Sequence, residues 1–168
     1  AASDAVGGSP GRLETYRPSP LRNVVINEFL AHTDPPQYDY VELYNRGTTS
    51  VSLAGWTLTD DMTKPTKWAF PVDATIPARS NLVIWLDTTN NYPGLIVTNF
   101  SLRSSGEEVG LFQAANERDY IRFGPQIKDR TISRYPSGGT NWTLGLQTPG
   151  ATNVSVALGT PLALRINE

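Results

Sequence analysis

The stretch Val25-Ile26-Asn27-Glu28-Phe29-Leu30-Ala31, followed by Asp39-Tyr40-Val41-Glu42-Leu43-Tyr44-Asn45, decides the fold. The first segment is short and rich in β-branched and aromatic side chains, and Asp34-Pro35-Pro36 stops it. That is the pattern of a strand, not of a helix. The second alternates, with Val41 and Leu43 on one face and Tyr40, Glu42 and Tyr44 on the other, as a pleated strand with one buried face requires. Asn45-Arg46-Gly47 then turns the chain.

Further apolar runs follow at close intervals: Val51-Leu53, Trp56-Thr59, Lys67-Phe70 before Pro71, Leu82-Leu86 before Asp87, Leu95-Val97, Glu108-Phe112, Tyr120-Phe123 and Thr131-Ser133. No segment keeps a helical period for three turns, although Ala114 to Arg118 reads as one helical turn. Many short strands between turn signals, without intervening helices, predict an antiparallel sandwich or barrel. Periodicity does not choose between them.

The chain has 168 residues, 39% of them hydrophobic, with 14 Gly and 13 Pro spread along it. A chain this long can bury about 70% of its unfolded surface in one core without staples. There is no cysteine, which removes disulfides, thiolate chemistry and Cys-ligated metals. The formal net charge is −2, and Lys and Arg are not clustered. A nucleic-acid partner is therefore not expected, because phosphate neutralisation needs a basic face. No apolar run approaches the roughly 20 residues of a membrane-spanning helix, and no membrane insertion is expected. Ala1-Ala2-Ser3-Asp4 lacks the charged start and apolar stretch of a signal peptide, so an export signal is expected to lie outside this sequence. Residues 1–20, with Gly7-Gly8, Pro10-Gly11, Pro18 and Pro20, read as a linker or extended lead-in.

The opening segments, together with Leu53-Ala54-Gly55-Trp56-Thr57-Leu58-Thr59-Asp60, Trp68-Ala69-Phe70-Pro71, Ile76-Pro77-Ala78 and Leu82-Val83-Ile84, resemble the lamin-tail domain family. Phe123-Gly124-Pro125-Gln126, Ser133-Arg134-Tyr135-Pro136 and Thr148-Pro149-Gly150-Ala151-Thr152-Asn153 resemble a bacterial, extracellular branch of it. The resemblance covers Leu21 to Asn153 and implies an all-β, immunoglobulin-like antiparallel β-sandwich. It also implies a part of a larger secreted or cell-surface protein, since bacterial members accompany such proteins, often in tandem or beside hydrolases. No catalytic residue comes with it. No coiled-coil rod stands in this sequence, which points away from the filament role of the animal members.

Residues 154–168 are expected to be a linker or the start of a following repeat. Ile166-Asn167-Glu168 echoes Ile26-Asn27-Glu28, and each follows an apolar lead. A second copy beginning there and an ordinary last strand both fit the echo.

Several residues carry chemistry in principle. His32, the lone histidine, would have to serve any Ser–His–Asp arrangement, but no Gly-x-Ser-x-Gly turn presents a nucleophile. It is expected to be a solvent-facing loop residue. Glu28 and Glu42 lie on neighbouring strands, and paired carboxylates perform glycoside hydrolysis. Buried carboxylates are also held by backbone or basic neighbours, which is the reading favoured here. Asp60-Asp61, with Asp34, Asp39 or Asp87, supply oxygens of the kind calcium takes, though without an EF-hand loop. Trp56, Trp68 and Trp85 are expected in the core, and Trp142, beside Gly138-Gly139, on the surface, where a tryptophan stacks on sugars. Asn99, Asn141 and Asn153 each begin a glycosylation pattern. The expectation is thus a non-catalytic interaction or tethering module, monomeric in isolation, with no catalytic, cofactor or metal site. Its partner is expected to be a protein or a cell-envelope polysaccharide. The competing expectation is a carbohydrate-binding or carbohydrate-active accessory domain, which an exposed aromatic strip in a groove would favour.

Overall fold

The structure, a computed structural model, describes residues 5–6, 23–34, 37–88, 94–114 and 116–157. The described residues form thirteen strands: β1 (Ala5–Val6), β2 (Val24–Leu30), β3 (Asp39–Asn45), β4 (Val51–Ser52), β5 (Trp56–Thr59), β6 (Trp68–Ala69), β7 (Thr75–Ile76), β8 (Asn81–Leu86), β9 (Val97–Thr98), β10 (Glu107–Gln113), β11 (Asn116–Phe123), β12 (Thr131–Arg134) and β13 (Trp142–Gly145). No helix occurs among the described residues, so none there is long and apolar enough to cross a membrane.

Two sheets face each other. One has the order β1-β11-β10-β5-β6, the other β13-β12-β2-β3-β8-β9, and β4 with β7 forms a small ribbon. All pairings are antiparallel except β1 with β11 and β8 with β9. The fold is therefore the all-β, immunoglobulin-like sandwich that the strand pattern and the resemblance imply. Val41, Leu43 and Ile84 from one sheet and Leu58, Val109 and Leu111 from the other are fully enclosed in a single apolar core. Phe29 and Phe123 join the layers, their rings 4.6 Å apart.

The outer face of the larger sheet positions everything that follows. On β3, Val41 and Leu43 enter the core. In the pleat, Tyr40, Glu42 and Tyr44 then face outward. Across the ladder they meet Trp85, Val83 and Asn81 of β8. Strand β2 breaks its own alternation. Val24 and Ile26 are core residues, and so are Phe29 and Ala31. The register slips between Ile26 and Glu28, leaving Asn27 as the extra residue of a β-bulge. A bulge shifts the parity of a strand and re-aims a side chain. All seven residues of β2 are buried, so its outer face is covered as well.

Three expectations change here. Ala114 to Arg118 is not a helical turn: Ala114, at φ 46°, turns a hairpin between β10 and β11. Trp142 is not a surface residue: it is half-buried, 6.2 Å from Phe29, with the Arg134 guanidinium 4.5 Å above its ring. Trp85 is not a core residue: Ile84 and Leu86 take the core side of β8, so Trp85 is half-buried on the outer face. Leu82-Val83-Ile84-Trp85-Leu86 is apolar throughout and hides that parity. Trp56 is in the core, and Trp68 packs against it beside Phe70.

The backbone ladder runs past Asn153. Leu146 donates to Val154 O at 2.9 Å, Val156 donates to Leu144 O at 2.8 Å, and Ser155 bridges Gly145. In the amino-terminal segment read as a linker, Ala5–Val6 pairs with β11. The domain start at Leu21, residues 158–168 and the Ile166-Asn167-Glu168 echo lie outside the described residues.

Candidate functional site

Glu28 and Glu42 stand opposite each other in the β2–β3 register, and neither has any exposed surface. Both are held by hydrogen-bond donors, without a basic partner. Glu28 accepts from the Tyr40 hydroxyl, from Thr148 N at 2.9 Å and from Thr148 Oγ1 at 2.5 Å. Glu42 accepts from Asn27 Nδ2 at 2.9 Å and Gly150 N at 2.6 Å. The two carboxylates therefore strap the loop 147–152 across the outer face of the sheet. The bulged Asn27 completes the network, accepting from Gly138 N at 2.7 Å and donating to Asn153 Oδ1 at 3.1 Å. Gly138, at φ 70°, approaches so closely that a Cβ would lie 2.5 Å from the Tyr44 ring. Asn153 is buried in this network, so its side chain is not available to carry a glycan.

Burial dominates the electrostatics of this layer. Despite two donors, loss of water pushes the Glu42 carboxyl up to about 7. The same cause takes Asp39, whose Oδ1 is buried without a hydrogen-bond partner, to about 7. A carboxyl whose folded pKa lies above its unfolded value binds more protons when folded, so stability falls as pH rises through that interval. The urea midpoint is expected to drop between pH 5 and pH 8, equivalent to about 1–3 kcal/mol for a shift of this size at Glu42. Glu42→Gln should flatten the slope. A midpoint that rises over that range would contradict the assignment. Below pH 4 the sign reverses, as Asp61 is protonated: the Thr63 hydroxyl and Lys64 hold it down at about 2.

Beside the strap lies a pocket of about 460 Å³ lined by Gln37, Tyr38, Tyr40, Trp85, Leu95, Gln147 and Pro149. Tyr40 forms its floor, fixed by the hydroxyl bond to Glu28. Trp85 meets the Tyr40 ring edge-on, with centroids 5.6 Å apart and planes 61° apart. The two amides approach across the rim, Gln147 Nε2 lying 3.5 Å from Gln37 Oε1, and Thr33 Oγ1 donates to the same oxygen at 3.2 Å. Among the described residues no lining side chain carries a charge. On the far side of the strap, Tyr44, Arg79, Asn81 and Ser137 line a second, polar cleft.

The other candidate residues are not assembled. His32 is half-buried, not solvent-facing as expected, and its Nδ1–H donates to Gln126 O at 2.9 Å. Asp60 pairs with Lys67 at 2.5 Å and Asp61 with Lys64 at 2.9 Å, while Asp34 binds Lys128. Among the described residues no three of His, Asp and Glu are placed to share a cation. Sequence reasoning missed the pocket. Its signal was the Gln37-Tyr38 pair just before β3 and the parity of Trp85, which becomes readable once Ile84 and Leu86 are assigned inward.

No curated protein matches the chain. The family model described as Lamin Tail Domain matches residues 17–125, from before β2 to just past β11. With the sandwich topology and the opening motifs in agreement with that match, the chain belongs to the lamin tail domain family.

Proposed function

We propose that this domain is a non-catalytic binding module that tethers or spaces a larger secreted or cell-surface protein, and that its aromatic pocket holds the partner. One observation carries the reading. The half-buried ring of Trp85 lines the pocket, whereas Glu28, Glu42 and His32 are committed to internal hydrogen bonds. Concave, mostly apolar sites with a few placed polar groups are where proteins bind ligands. Catalysis by the two carboxylates would need a substrate within hydrogen-bond reach, and Thr148 and Gly150 occupy that approach. The resemblance to the exported bacterial branch supports an extracellular setting.

Sedimentation with purified bacterial cell-wall sacculi tests this directly. The wild-type domain is expected to pellet with them, and Tyr38→Ala/Trp85→Ala to stay in the supernatant. Equal pelleting of both proteins, or pelleting of neither, would remove the pocket from the function. Turnover of a glycan, ester or phosphodiester panel, abolished by Glu28→Gln or Glu42→Gln, would make the domain an enzyme.

A further inference from the structure

Resting on that reading, we infer that the pocket takes a neutral pyranose unit of a polysaccharide, stacked on Trp85 and hydrogen-bonded by Gln37 and Gln147. Three features of the pocket select this ligand class. Among the described residues its lining carries no charge, so none of them compensates the desolvation of a phosphate, carboxylate or ammonium group. Its Trp85 and Tyr40 rings are inclined at 61°, with Trp85 half-buried and Tyr40 only 1% exposed. Trp85 can then support the flat C–H face of a sugar while Tyr40 closes the site beneath it. The negative face of an aromatic ring attracts such weakly positive C–H edges. The amides of Gln37 and Gln147 also line the pocket; their internal hydrogen bonds use the Gln37 Oε1 and the Gln147 Nε2, which leaves the Gln37 Nε2 donor and the Gln147 Oε1 acceptor for sugar hydroxyls.

A proline-rich peptide is the other neutral ligand for an aromatic site. It lies in an extended groove, whereas here the strap closes one side through Gln147 and Pro149. The site is also built before the ligand arrives. Tyr40 is locked by Glu28, and the strap by Glu28 and Glu42, so little order is lost on binding.

The test is an NMR titration of the isotope-labelled domain. The probes are neutral oligosaccharides (β-1,4-glucan, β-1,4-N-acetylglucosamine, α-1,4-glucan, β-mannan and β-xylan fragments), a proline-rich peptide and an anionic glycan. At least one neutral oligosaccharide is expected to shift signals of Gln37, Tyr38, Trp85 and Gln147 at millimolar concentration. Trp85→Ala should weaken that binding tenfold or more, about 1.4 kcal/mol. Trp85→Phe should retain most of it, and Arg79→Ala, in the polar cleft beyond the strap, all of it. Dispersed amide spectra and a cooperative urea transition in each variant would show that folding is intact.

Silence to every neutral sugar, shifts confined to the Arg79 cleft, or a response to the peptide or anionic glycan alone would overturn the inference. Pocket-dependent pelleting with sacculi combined with that silence would leave the tethering role standing and refute only the sugar. Pocket binding of a sugar without pelleting would do the reverse.

Discussion

Replacing Arg134 with methionine is expected to cost about 3–5 kcal/mol of stability. Arg134 and Asp119 are both almost fully buried and form an ion pair at 2.9 Å, with β12 in one sheet and β11 in the other. The guanidinium also donates to Ile26 O at 2.6 Å and Gly139 O at 2.7 Å. Asp119 accepts in turn from Ile26 N at 2.8 Å. Removing the cation alone takes the guanidinium from a buried carboxylate, the buried Ile26 carbonyl and the part-buried Gly139 carbonyl, and that desolvation is the source of the loss. Arg134→Met with Asp119→Leu should regain a good part of it, since replacing both members of a buried pair by apolar groups is far milder. Urea unfolding of the single and double variants decides the matter. A single variant within about 1 kcal/mol of wild type would show that the pair contributes little.

Trp56→Ala is expected to cost a similar amount, about 3–5 kcal/mol, through lost apolar burial and the cavity left behind. Trp56 is 5% exposed and belongs to the central core, with the Arg118 guanidinium 5.9 Å from its ring. Trp85→Ala removes the same side chain from a half-exposed site, so about 1 kcal/mol is expected, the ordinary scale for a point variant. Equal losses at the two positions would place Trp85 in the core after all.

That contrast shows where the sequence becomes hard to read. Tyr40-Val41-Glu42-Leu43-Tyr44 alternates cleanly, and its two faces were assigned correctly. Leu82 to Leu86 carries apolar residues on both faces, because one faces the core and the other lines the pocket and the strap. Period-two reasoning has nothing to grip in such a run. The single-residue bulge at Asn27 reverses the parity of β2 without any break in composition. Arg134 ends the mixed run Thr131-Ile132-Ser133-Arg134, and only its position between two sheets reveals a buried cation.

From the sequence alone came the predominance of strand, the sandwich class, the family and the core role of Trp56. Each rests on local spacing or on ordered motifs, and local sterics and alternation act over a few residues. The tertiary structure decided the rest. Residues as distant as Gln37 and Gln147, or Glu28 and Thr148, meet only because strand order folds the loop 147–152 back over β2 and β3. The aromatic pocket, the raised carboxyl of Glu42 and the buried Arg134–Asp119 pair are all products of that approach. Burial and the loss of water that comes with it depend on what lies across the sheet, and no neighbour in the chain determines that.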